Sequence, residues 1–418
     1  MSEQAVTVAV TPTPTPTPTP GPASTARALR PARRSASLGQ PTPLPELLRQ
    51  RIPALDGVRG LAIILVLLHQ FNIMDPQASL PLRLLTATVE PGWIGVQLFF
   101  VLSGFLITGI LLDAKNTPSF FGPFYRRRLQ RIFPLYYLVL AVTFLVLPRL
   151  TTWPMSMLGA GHDHLRYWLY LQNWPVWHSR GVGLLGHTWS LAVEEQYYLV
   201  WPLAVWALTQ RGLVRLSLVI VAGAFLLRVV LRATGVAPEL IYSSTVTRAD
   251  ALAMGGLVAI AARRADGAAW LRRHLDRWTV LLIAALAVVT VASHALSRKQ
   301  IITQTFGYSI LALAFAVLIA WTVLQSTTGA GRLVTWLSWR PLGAVGRVSY
   351  GMYLFHLPLH LYATRVLLAP TLDGDGATPH LALAAGYFFG ASLVVFLLAQ
   401  LSWSLFEKHL LAWSPRQN

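Results

Sequence analysis

The sequence contains no cysteine, which excludes disulfides, thiolate nucleophiles and cysteine-ligated metal centres. Charge is scarce: 12% of residues are Asp, Glu, Lys or Arg, against about a quarter in soluble domains. Acidic residues are scarcer still, 16 against 34 basic ones, for a net charge of +18. There is no phosphate-cradling glycine-rich loop, no G-x-S-x-G nucleophile elbow and neither H-x-x-E-H nor H-E-x-x-H. Covalent serine catalysis is therefore unsupported, and no metal is required. Residues 1–50 lack the apolar stretch of a secretory signal peptide. The basic excess lies in short segments rather than on a contiguous face with groove-reading elements, so no nucleic-acid partner is expected.

What the chain has instead is apolar length. Of its 418 residues, 54% are hydrophobic, and the mean hydropathy is +0.52. Apolar runs fall near 58–73, 92–112, 132–148, 189–209, 213–231, 248–262, 278–296, 304–324, 342–364 and 382–405. About 20 apolar residues span 30 Å of hydrocarbon as a helix. The expected fold is all-α: a polytopic membrane protein of about ten transmembrane helices. Residues 165–178, LRYWLYLQNWPVWH, are too few and too polar to span and suit an interfacial or re-entrant element. No internal repeat of inverted halves is visible.

With the N-terminus in the cytoplasm, inside segments hold 23 Lys and Arg and outside segments 7. The positive-inside rule then places both termini in the cytoplasm. Three regions follow. Residues 1–50, with the repeat TPTPTPTPTP at 11–20, read as a disordered Pro/Thr/Arg-rich cytoplasmic tail. Residues 51–406 form the membrane domain, and 407–418 a short cytoplasmic tail.

Ionisable groups inside apolar helices are functional candidates, because burying them in hydrocarbon costs several kcal/mol. The first such run, RIPALDGVRGLAIILVLLHQF (51–71), carries Arg59 near its start and His69 ten residues later, about 15 Å along a helix. The competing reading has Arg59 snorkelling to headgroups and His69 ending at the far interface. A neutral imidazole in a water-lined cavity can take a hydroxyl proton and return it, which suits acyl transfer. In FYRRRLQRIFPLYY (124–137), Arg128 and Arg131 are three apart and share a helix face. Such a pair fits a phosphate clamp, although a basic run also serves as topology signal and anionic-lipid contact. HTWSLAVEEQYYLVWP (187–202) places Glu194 beside Glu195, and at least one must face the bundle interior. Glu194 could serve as an acid–base partner or anchor Arg59 or Arg248. In TRADALAMGG (247–256), Arg248 and Asp250 suit an ion pair that holds helices, and Gly255 and Gly256 allow close approach. VSYGMYLFHLPLH (348–360) offers His356 as a second candidate.

Together, RIPALDGVRGLAIILVLLHQF, GWIGVQLFFVLSGFLIT, FYRRRLQRIFPLYY, HTWSLAVEEQYYLVWP and VSYGMYLFHLPL resemble, in order, the signature blocks of the acyltransferase 3 family, over residues 51–406. The resemblance implies a multi-pass protein of the cell membrane, the bacterial inner membrane in particular. It implies an acyl-CoA donor, usually acetyl-CoA, and an acceptor hydroxyl on a glycan, glycolipid or small molecule. By motif, Arg59 matches the family's first-helix arginine, and Arg128 and Arg131 match the R-x-x-R pair assigned to the donor. His69 stands where the family places its catalytic histidine late in the first helix, but ten residues after the arginine rather than eleven. Gln70 occupies the ungapped position, so a local helix distortion is expected to turn His69 inward if it is the base. The resulting expectation is a membrane O-acyltransferase with His69, Arg59 and Glu194 at its catalytic centre and Arg128 and Arg131 on the donor. A flippase of lipid-linked sugar and an inactive scaffold are the alternatives.

Overall fold

The computed structural model describes residues 43–73, 80–150, 164–174, 183–329, 331–368 and 381–412. Among these every regular element is helical, and no strand is present. The chain is a multi-pass membrane protein. The main helices are α1 (Pro53–Gln70), α2 (Ile94–Ala114), α3 (Phe121–Ala141), α4 (Trp189–Ala207) and α5 (Gln210–Ala233). They are followed by α6 (Thr245–Ala262), α7 (Ala265–Ala292), α8 (Tyr308–Ser326), α9 (Ser349–Tyr362) and α10 (Leu381–Ser402). Each corresponds to one of the ten apolar runs. Eight helical stretches among the described residues are long and apolar enough to cross a membrane. The two outside that set are α4, which carries Glu194, Glu195 and Gln196, and α9, which is 14 residues long.

Local chemistry sets the boundaries. Helix α1 starts at Pro53, ahead of its apolar run, because proline at a first helical position sacrifices no hydrogen bond. Asp56 follows in the first turn, where a carboxylate favours the positive helix end. The run at 342–364 divides: Arg340–Arg347 is a separate short helix that ends at Val348 before α9 begins. The last run extends through a π-helical turn, Trp403–Glu407, into Lys408–Ala412, so residues 407–412 continue the helix rather than forming a tail. Similarly, Leu44–Leu47 form a helical turn whose two leucines are buried, so residues before 51 already pack with the helices. Residues 1–42 of the expected tail lie outside the described residues. The segment near 165 forms only the four-residue helix Leu165–Trp168, with Tyr136 donating to the Tyr167 carbonyl and Tyr137 to that of Trp168. Residues 175–178 of that segment lie outside the described residues.

Packing depends on glycine where backbones meet. A Cβ on Gly104 of α2 would fall 1.9 Å from the Leu252 carbonyl oxygen of α6, and one on Gly255 would fall 1.9 Å from that of Val101. No side chain fits either place. In lipid there is no hydrophobic drive between helices, so such close backbone contact is what holds them. The small residues of the 247–256 segment therefore do what their pattern suggested.

Replacing Gly255 by alanine should destabilise the fold by about 1–3 kcal/mol, the usual cost of overpacking, because the obstacle is backbone. Gly122→Ala is the control, since nothing lies within 4 Å of its added Cβ. Thermal unfolding in detergent should show a lowered midpoint for the first variant only. Equal midpoints would mean the α2–α6 contact is looser than described.

Candidate active site

Because Arg59 and His69 are ten residues apart on one straight helix, they open into different cavities. Arg59 lines a cavity of about 100 Å³ together with Arg128 and Arg131 of α3, Ser103 of α2, and Glu194 and Tyr198 of α4. Asp56 accepts from Arg59 at 3.1 Å and pairs with Arg51 at 2.6 Å. Three apart on α3, Arg128 and Arg131 both line this one arginine chamber. Arg128 lies 4.4 Å from the centre of the Tyr198 ring. Among the described residues neither guanidinium has a carboxylate within 4 Å, so both are free to meet an anionic ligand.

Glu194 faces the bundle interior, where Ser103 donates to it at 2.6 Å. It joins the arginines and does not line the cavity of His69, so a direct proton exchange between the two is not what this geometry offers. Nor is Glu194 the hydrogen-bonded anchor of Arg59, a role that falls to Asp56.

His69 lines a larger cavity, about 310 Å³, with Gln70, His187, Tyr242, Arg298 and His356 among its walls. The His69 Nδ1–H donates to the backbone carbonyl of Glu90 at 2.7 Å, and the Glu90 carboxylate lies 3.7 Å away. A carbonyl can only accept, so Nδ1 carries the proton and Nε2 keeps its lone pair. Helix α1 is regularly α-helical as far as Gln70. The expected local distortion is therefore absent: the chamber is wide enough for His69 and Gln70 to line it side by side. His356 is oriented in the same way as His69, its Nδ1–H donating to the Tyr353 carbonyl at 2.6 Å. Its ring meets that of His187 edge-on at 4.7 Å.

The two cavities adjoin. Val96 and Tyr353 line both. The Tyr353 hydroxyl donates to the His187 carbonyl at 3.0 Å and sits 2.6 Å from the hydroxyl of Ser190, a wall residue of the arginine chamber. A partition one side chain thick thus separates a cationic chamber from a histidine chamber.

A buried ionic cluster borders the histidine chamber at Tyr242. Asp250 pairs with Arg228 of α5 at 2.8 Å, both side chains fully buried, rather than with Arg248. Arg228 also donates to Ser309 at 2.6 Å and to the Thr247 carbonyl at 2.5 Å. Arg248 donates instead to Gln97 and stacks over Tyr308 at 4.1 Å and Tyr242 at 5.2 Å. The helix-holding ion pair inferred for this segment is present, but with a different arginine.

The fold is that of a polytopic helical membrane protein with two adjoining internal chambers. The family profile described as an acyltransferase domain matches residues 52–401, and the chain belongs to the acyltransferase 3 family. It is 30% identical over 340 residues to the peptidoglycan O-acetyltransferase OatA of Listeria monocytogenes, covering 76% of this chain and 51% of that protein. It is 27% identical over 326 residues to the O-acetyltransferase OatA of Staphylococcus aureus, covering 74% and 51%. The chain spans about half the length of these curated relatives. No solved structure matches it.

Arg228→Met should cost about 3–5 kcal/mol, because it leaves the Asp250 carboxylate buried and alone. Adding Asp250→Leu should restore most of that loss. Thermal unfolding of the single and double variants checks this; a double variant as unstable as the single one would mean that the pair does not join α5 to α6.

Proposed function

We propose that the protein is a membrane O-acyltransferase that moves an acetyl group from acetyl-CoA to a hydroxyl of a cell-wall glycan. The observation that carries this reading is the adjoining pair of chambers, one lined by three arginines and the other by a histidine with a free Nε2. The names of the relatives support O-acetylation, and peptidoglycan for the Listeria protein. The basic-residue distribution supports a cytoplasmic position for the arginine chamber, the side on which acetyl-CoA is made.

In this reading Arg128 and Arg131 take the CoA phosphates through bidentate hydrogen bonds. Arg59, held by Asp56, lies further along the donor, toward the thioester. The acceptor hydroxyl enters the histidine chamber and donates to His69 Nε2. As the imidazole takes that proton, the oxygen attacks the thioester carbonyl carbon. The C–S bond then breaks, and the CoA thiolate recovers the proton from the imidazolium. The Glu90 carbonyl keeps the ring in the tautomer that this sequence of transfers needs. Donor and base meet only past Val96 and Tyr353, so movement of the Tyr353 ring away from Ser190 is part of the proposal.

Two variants separate the halves of this reading. His69→Ala should lower acetyl transfer about 10²–10⁴-fold and leave acetyl-CoA affinity unchanged. Arg131→Lys should weaken acetyl-CoA binding about ten- to a hundredfold, since lysine lacks the forked donor geometry. Labelled-acetyl transfer and equilibrium binding on the purified chain in nanodiscs measure both. Loss of donor binding in His69→Ala, or unchanged binding in Arg131→Lys, would overturn the division of labour between the chambers.

A further inference from the structure

We propose that the histidine chamber selects its acceptor by an anionic group, a carboxylate or a phosphate, gripped by Arg298 and Lys299. The inference rests on the O-acyltransferase reading and adds to it the charge class of the acceptor. Both cations line the same cavity as His69. They follow directly on an unusual turn after α7, in which His294, Ala295 and Leu296 all have positive φ, at 48°, 60° and 57°. Three successive non-glycine residues in the left-handed region persist only where the surroundings over-determine them. Here the turn is tied down from two sides: Trp93 Nε1 donates to the Leu296 carbonyl at 3.1 Å, and Gln304 donates to that of Arg298 at 2.9 Å.

The Arg298 guanidinium is further placed 5.3 Å from the centre of the Tyr242 ring, itself a wall of the chamber. Among the described residues neither cationic side chain has a hydrogen-bonded partner or a carboxylate within 4 Å. The nearby acids are otherwise disposed: Glu90 lies at His69, and Glu239, a chamber wall exposed like Lys299 itself, pairs with neither cation. Two adjacent like charges on a braced turn are unfavourable for each other and favourable for an anion between them. A neutral sugar hydroxyl needs no such arrangement. An acceptor anchored by its anion would present a neighbouring hydroxyl to His69 in a fixed register, so these are binding residues and not catalytic ones.

The test uses the full chain in nanodiscs of uncharged lipid and three probes. They are a disaccharide bearing one carboxylate, the methyl ester of that disaccharide, and the same disaccharide with a phosphate monoester in place of the carboxylate. At least one anionic probe should bind about ten- to a hundredfold more tightly than the ester, the range expected for a charge-assisted hydrogen bond. Which anionic probe binds more tightly identifies the group. Arg298→Gln and Lys299→Gln should each shrink that preference, and Arg298→Lys should restore part of it. In acetyl transfer these variants should raise the KM for the anionic acceptor more than they lower kcat. Acetyl-CoA binding, measured on every sample, should be normal and reports that each variant is folded. Equal binding of ester and anion, or a preference that survives both Gln variants, would overturn the proposal. So would variants that lose only retention of added anionic lipid, which would make the pair a headgroup contact. Failure of acetyl-CoA to bind the unaltered protein would instead strike the underlying O-acyltransferase reading.

Discussion

Backbone-to-backbone contact along α1 is the constraint on which the site depends. A Cβ on Gly57 would fall 1.8 Å from the Leu337 carbonyl oxygen, and one on Gly346 would fall 1.8 Å from that of Asp56. Further along, Gly92 and Gly95 bring the chain before and within α2 against the carbonyls of Leu65 and Ala62. Helix α1 is therefore gripped near both of its ends. Because it is a continuous α-helix, its rotation cannot be adjusted at one chamber without moving the other. The orientation of Arg59 and that of His69 form one structural variable.

Around this post, polar groups are satisfied in pairs that suit their surroundings. Arg59 near the helix start has a carboxylate one turn away, whereas His69 near the end has a backbone carbonyl and a more distant acid. The fully buried Arg228 is balanced by Asp250 and two further acceptors. Arg248 is handled differently: among the described residues no carboxylate lies within 4 Å of it, and its guanidinium meets tyrosine rings and one amide. Cation–π contact of this kind strengthens as water is withdrawn, which is the condition at 0% exposure.

Most helices were legible in the sequence because a span declares itself by local hydropathy; the shared face of Arg128 and Arg131 was legible from their spacing, and the inward turn of one of Glu194 and Glu195 because lipid leaves charge few alternatives. The partners were not legible. Glu90 reaches His69 across 21 residues through a main-chain oxygen, which no side-chain pattern encodes. Arg248 and Asp250 lie two apart and invite pairing, yet residues two apart on a helix point away from each other, and Arg228 on another helix takes the carboxylate instead. Residue spacing along α1 sets positions 69 and 70 apart only if the site is a line along the helix. The actual cavity is broad enough for both side chains to line it. Tyr353 as a shared wall, and the left-handed turn before Arg298, are tertiary facts with no local signature.

The thinness of the partition has an electrical consequence. Water-accessible recesses on either side of a membrane draw the transmembrane field inward, so the voltage falls mainly across whatever insulates them. In the proposed orientation that insulator is Val96 with Tyr353 and its Ser190 contact. A full charge crossing it would exchange about 2.3 kcal/mol with a potential of 100 mV. Under the proposed function an uncharged acetyl group would pass without electrical work, while the donor's phosphates would not follow. A barrier of this kind would then let only the neutral part of the donor through.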